Sequence, residues 1–236
     1  VVVGELARES RGVLQALHCD AANKIIHVAF GHVQGMKTRG GGNFIELNEF
    51  LDEAYERALE AYHTQVTKRP EGLDETEVAR TVALAAIIFS NLSRTNIKDV
   101  HFSWEHALEF QGDSGPYLLY ACARINGIKE RALAEGMMPP AEVDYSLLKE
   151  DSAYELAQVL SEFGSTREKT AEDNEPSYLA NYALSLAKSF SQAYLELKVI
   201  GEQKEIAQAR FALFAATHQI LSRLLHLLGI EPLERM

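Results

Sequence analysis

The sequence is short of several things. Its 236 residues include two cysteines, one tryptophan and six prolines. No apolar run approaches the ~20 residues that a membrane-spanning helix needs. Cys19 and Cys122 stand alone in apolar or helical surroundings, which gives neither a disulfide framework nor the ligand spacing of a zinc site. A reducing, cytoplasmic setting is therefore the expectation. Basic charge is scarce too: 23 Lys and Arg against 34 Asp and Glu leave a net charge of −11. That excludes indiscriminate attraction to nucleic acid, but not a local basic groove, where the nearby field counts for more than the total. Val1 to Gly4 carry no basic stretch and do not read as a signal peptide. Val1-Val2-Val3 reads instead as a buried strand, so the chain is expected to begin inside a domain.

What is present is ordinary globular composition. Hydrophobic residues make up 47% and charged residues 24%, enough for a sizeable core in one or two domains. The pattern changes near residue 40. Before it, Val1 to Val3 and Lys24 to Val33 have strand character, with a helical stretch between Glu5 and His18. Two strands and a helix cannot cover both faces of a parallel sheet, so this reads as an α/β remnant. After it, everything reads as helix. Leu47 to Thr67 is charged and periodic. Asp74 to Arg94 places Val78, Val82, Ala85, Phe89 and Leu92 on one face. Asp113 or Ser114 caps a helix with Pro116 in its first turn. Asp151 to Phe163 is another helix, Arg167 to Pro176 a charged connection, and Leu179 to Leu197 an apolar stripe. The last helix alternates apolar spacings of three and four from Ile206 to Leu227, and Gly229 stops it. The expected fold is mainly α: a helical bundle preceded by a small α/β portion. The boundaries fall at 1–46, 47–110 and 111–236.

Few residues carry obvious chemistry. The loop Gly35 to Asn43 (GMKTRGGGN) sets three glycines beside Lys37, Thr38 and Arg39. Backbone N–H groups and cations of that kind can hold phosphate, although no P-loop pattern is present; a plain surface loop fits as well. Eight histidines are scattered without the spacing of a metal pair, so no metal is expected. Tyr117, Tyr120 and Arg124 share one helix face. Such a face either stacks a base and holds a phosphate or consists of core tyrosines beside an arginine.

A resemblance adds a function. Phe110-Gln111-Gly112-Asp113-Ser114-Gly115-Pro116-Tyr117-Leu118-Leu119-Tyr120-Ala121-Cys122-Ala123-Arg124 resembles the arginyl-tRNA synthetase signature F-x-G-[DN]-[ST]-[AG]-P-Y-L-x-Y-A-x-x-R. Phe102-Ser103-Trp104, Leu92-Ser93-Arg94 and Lys98-Asp99 precede it as in that family. Leu179 to Tyr182, Phe190 and Tyr194 fit its intervening helix, Arg210 to Gly229 its final helix, and Glu234-Arg235-Met236 its terminus. His27 to Gly31 fits the strand entering the class I signature loop. The resemblance implies a C-terminal remnant of a Rossmann-type class I catalytic domain over 1–46, a helical connector, and a DALR-type anticodon-binding bundle over 111–236. It implies tRNA(Arg) as partner, with neither DNA nor membrane. Tyr117, Tyr120, Arg124, Lys198, Arg210 and Met236 become the candidate tRNA-binding residues. Lys37, Thr38 and Arg39 become the candidate ATP loop, served by ATP and Mg2+ in the complete enzyme; no cofactor is expected for this chain alone.

The departures carry weight of their own. The family loop M-S-T-R-K-G is here Met36-Lys37-Thr38-Arg39-Gly40-Gly41. The half bearing the H-I-G-H motif would precede Val1. Three readings follow: the C-terminal part of a synthetase, a diverged paralogue that binds tRNA without aminoacylation, or a helical interaction module.

Overall fold

The computed structural model describes residues 11–18, 20, 26–34, 46–67, 69–137 and 142–236. The Val1–Val3 run, Cys19 and the loop holding Lys37, Thr38 and Arg39 lie outside the described residues. A short helix, α1, covers residues 11–16. There follow β1 (Val33–Gln34), α2 (Leu47–Gln65), α3 (Glu75–Leu92), β2 (Val100–His101) and α4 (Trp104–Ala107). Then come α5 (Gly115–Ala134), a 3-10 turn (Tyr145–Leu147), α6 (Asp151–Ser161), α7 (Phe163–Asp173), α8 (Ser177–Glu196) and α9 (Lys204–Leu227).

Local chemistry starts and stops these helices. Asp74 caps α3 by accepting hydrogen bonds from the N–H groups of Thr76 and Glu77. Ser114 caps α5, accepting from the Tyr117 N–H at 3.1 Å, with Pro116 in the first turn. Gly229, at φ +79°, ends α9: its N–H donates to the His226 carbonyl at 3.0 Å while the Ile230 N–H reaches Leu225 at 2.9 Å. That turn tucks Ile230 into the core, where it is 2% exposed.

The core is one continuous cluster. Val78, Val82, Ala85 and Phe89 from α3 meet Leu118, Cys122 and Ile125 from α5, Leu186 and Phe190 from α8, and Phe214 and Leu221 from α9. Phe190 and Phe214 pack edge to face, with centroids 5.2 Å apart. α2 lies against α3, and α6 and α7 against α8.

Two expectations need correction. Arg167 to Pro176 is not a connection, because α7 runs to Asp173 and ends on Asn174 in the left-handed region at φ 52°. No α7 residue is buried, so the helix has no apolar stripe to announce it. Within the described part of Lys24 to Val33, only Val33 lies in a strand. Among the described residues the sheet is a single parallel pair, Val33 opposite Val100 and Gln34 opposite His101. Backbone bonds extend it: Gly31 donates to the Asn96 carbonyl at 2.7 Å and Val100 to His32 at 2.8 Å. A Cβ on Gly31 would lie 2.3 Å from the Lys98 carbonyl oxygen, so only glycine permits this approach.

The 93–100 segment is held from its other side by the bundle. The Asn96 N–H donates to the Glu175 carboxylate at 3.0 Å, the Asn96 amide to the Asn174 carbonyl at 2.8 Å, and the Asn181 amide to Ser93 at 3.1 Å. The strand preceding residues 35–43 is thereby registered on the corner between α7 and α8.

Candidate nucleic-acid interface

The C-terminal half of α5, the end of α8 and the C-terminal tail enclose a groove of about 520 Å³. α5 contributes Tyr120, Arg124, Ile128 and Arg131, and α8 contributes Tyr194. The Arg124 guanidinium lies 3.9 Å from the Tyr194 ring centroid and 5.9 Å from that of Tyr120. Both rings are half-buried, so a cation is held against two aromatic faces that solvent still reaches. Among the described residues Arg124 has no carboxylate at ion-pair distance. Its charge is left for an incoming anion, and the rings can stack a base.

The tail forms the far wall. The Asn126 amide donates to the Glu234 carbonyl at 3.1 Å, and Arg235 grips the Glu130 carboxylate through both oxygens at 3.1 and 3.2 Å. Met236 is 7% exposed and lines the groove, while Leu233 packs against the core.

Three of the six candidate RNA-binding residues, Tyr120, Arg124 and Met236, therefore come together. Tyr117 does not join them. Its hydroxyl points into the α5–α8 seam, 3.0 Å from the Ser191 hydroxyl and 3.3 Å from the Ala187 carbonyl. Lys198 is exposed in an adjoining hollow of about 360 Å³, which shares Ile128, Arg131 and Tyr194 with the groove. Arg210 is turned inward and is 7% exposed; it bonds Glu150, Glu202 at 3.0 Å and the Lys198 carbonyl at 2.8 Å. With its charge matched by two carboxylates, Arg210 braces the segment that carries Lys198. Tyr194, Arg131 and Arg235 were not singled out from sequence as groove residues. Tyr194, four residues beyond Phe190 and left half-exposed at the end of an otherwise buried stripe, was the available signal. Cys122 takes no part in reactive chemistry: burial pushes its thiol up to about 11, so it stays protonated.

In class, then, the molecule is a helical bundle with an aromatic and cationic groove, preceded by the edge of a parallel sheet. The DALR anticodon binding domain model matches residues 118–236, and the class I tRNA synthetase (R) catalytic domain model matches residues 13–104. Arginine–tRNA ligase of Clostridioides difficile (strain 630) is 33% identical over 227 residues, which cover 95% of this chain and 39% of that protein. The cytoplasmic arginine–tRNA ligase of Saccharomyces cerevisiae is 33% identical over 224 residues, covering 95% and 37%. The structure of Thermus thermophilus arginyl-tRNA synthetase superposes with a TM-score of 0.81 at 30% identity, over 96% of this chain and 38% of that one. This chain belongs to the arginyl-tRNA synthetase family, and comprises its DALR anticodon-binding domain together with part of the catalytic domain. It spans about two fifths of the length of the relatives it matches.

Proposed function

We propose that the groove receives unstacked bases from the anticodon loop of an arginine tRNA. The observation that carries this is the placement of Arg124 over Tyr194 and beside Tyr120, at a groove walled by Met236. The two rings stack bases, Arg124 meets a phosphate or a base edge, and Lys198 with Arg131 holds the backbone along the adjoining hollow. The domain boundaries at 46 and 110 are part of this proposal; the catalytic-domain match runs past residue 46 to 104, and the DALR match begins at 118. In the whole reaction, arginine, ATP and tRNA give arginyl-tRNA. Lys37, Thr38 and Arg39 would meet the ATP phosphates and their Mg2+, and cytoplasmic translation is the proposed setting.

Titration of the chain with an anticodon hairpin of arginine tRNA tests the groove. Binding should be salt-sensitive and stronger than to hairpins with other anticodons. Arg124→Ala should weaken it about tenfold, the scale of one lost stacking or cation–π contact. Equal affinity for every hairpin, or no effect of Arg124→Ala, would refute the proposal; no hairpin binding at all would favour the helical interaction module.

The loop substitutions support a second reading, a tRNA-binding paralogue without aminoacylation. Lys37 stands where the family has serine and Gly40 where it has lysine, so the cations are displaced from the positions that stabilise a transferring phosphate. Arginine-dependent ATP–pyrophosphate exchange by this chain alone is accordingly expected at background; exchange above it would overturn that expectation.

A further inference from the structure

Between α5 and α9 lies a second groove, of about 740 Å³. α9 lines it with His218, Gln219, Ser222, Arg223 and His226, at helical spacings of three and four, and Lys129 of α5 faces them. No Asp or Glu lines this groove, although the chain carries 11 more acidic than basic residues. Lys129 and Arg223 are exposed, and neither has a carboxylate at ion-pair distance among the described residues. His226 is paired with the exposed Glu231 at 3.5 Å, and the Ser222 hydroxyl lies 3.4 Å from the Cys122 sulfur.

The two grooves are neighbours. One turn of α5 sends Gly127, Ile128, Glu130 and Arg131 into the first and Lys129 into the second. Glu234 lines the first groove, and its charge reaches His218 in the second. From His218 to His226 the stripe runs about 12 Å at 1.5 Å per residue, a track rather than a point.

We infer that this second groove is a phosphate track, which carries the RNA backbone past the C-terminal tail from the base-binding groove. The inference rests on the proposed function and adds to it where the backbone runs. Lys129 and Arg223 supply the charge. Gln219 supplies a neutral donor to phosphate oxygens. Burial holds His218 below its ordinary pKa, helped by Lys129 and opposed by Glu234, so at neutral pH it is an uncharged donor. Charge of this kind fixes register without reading bases, which leaves discrimination to Tyr120, Arg124 and Tyr194.

The test is the salt dependence of anticodon-hairpin binding to the full chain, for the wild type and for the double variant Lys129→Gln with Arg223→Gln. Both side chains are exposed on helices, and circular dichroism checks that the fold is kept. The double variant should lose affinity equally for all hairpins, and its log–log salt slope should flatten by about 1.5. The preference for the arginine hairpin should be unchanged, a split that a merely structural role would not give. Wild-type binding with an unaltered slope in the double variant overturns the track alone. A wild type that binds no hairpin overturns the groove reading, and the track with it. Charge reversal, Lys129→Glu, should deepen the loss; no further loss would likewise count against the track.

Discussion

Replacing Arg210 by alanine is expected to destabilise the bundle by about 2–4 kcal/mol, the scale on which removing one member of a buried ion pair acts. Arg210 is 7% exposed and joins the start of α6 to the connection between α8 and α9. Glu150 stands at the start of α6, Glu202 in the turn before α9, and the Lys198 carbonyl at the end of the preceding segment. Alanine would leave both carboxylates facing each other without their cation and would orphan the carbonyl. In thermal melts the midpoint should fall by roughly 5–10 °C. If Arg210 instead met a phosphate of the RNA, the variant would melt like the wild type and lose only RNA affinity. That outcome would overturn the structural role assigned to it.

The cluster also sets an acid limit. Burial pushes the Glu150 carboxyl up, but its own backbone N–H and then Arg210 outweigh this and hold it below the usual value of 4.5. Glu202 is lowered first by the Gln203 N–H and then by Arg210. Both are depressed in the folded state, so their contribution is present above the ordinary carboxylate value. It drains away as the pH falls through that value and the folded one. The gap between wild type and Arg210→Ala should therefore be widest near pH 7 and narrow below about pH 4. A gap independent of pH would mean that lost packing, not charge, explains the variant.

Arg210 also shows what sequence could not supply. In sequence it is a cation at the head of a family-like helix, open to any anion. Its partners lie 60 and 8 residues away, and only the folded bundle brings them to it. Tyr117 fails for a different reason. Spacings of three and four put it on one face with Tyr120 and Arg124, but a helix face is about 100° wide, and Tyr117 falls on the edge that meets α8. The long helices were legible because burial imposes their period: the Val78–Phe89 and Leu179–Phe190 stripes are the ones the core uses. α7 was not legible because nothing in it is buried. β1 was legible only at Val33, and β2 was not, because two-residue strands 67 positions apart leave no alternation to read. Asp74, Ser114 and Gly229 were readable because caps are local chemistry.

The tail is the place where local chemistry and function meet most directly. Deleting Leu233 to Met236 should lower affinity for the arginine hairpin by more than tenfold while the helical circular-dichroism signal persists. Three losses act together. The groove loses the Met236 wall, a flexible, polarisable side chain that lines it together with Tyr120 and Tyr194. It loses the Arg235 cation. Glu130, now held through both oxygens by Arg235, becomes an unpaired carboxylate inside the groove and repels phosphate. The Arg235–Glu130 pair is about half exposed on both sides, so its own worth to stability is small, and the helices keep the core that α3, α5, α8 and α9 share. Arg235→Gln should reproduce part of the loss, because it removes the charge and frees Glu130 while leaving Met236 in place. Adding Glu130→Gln to that variant should recover some affinity, since the stray carboxylate is then gone. An unchanged affinity after the deletion would place the RNA elsewhere on the bundle. A deletion that abolished the helical signal would show instead that the tail is needed for the fold, and the two point substitutions would then decide its part in binding.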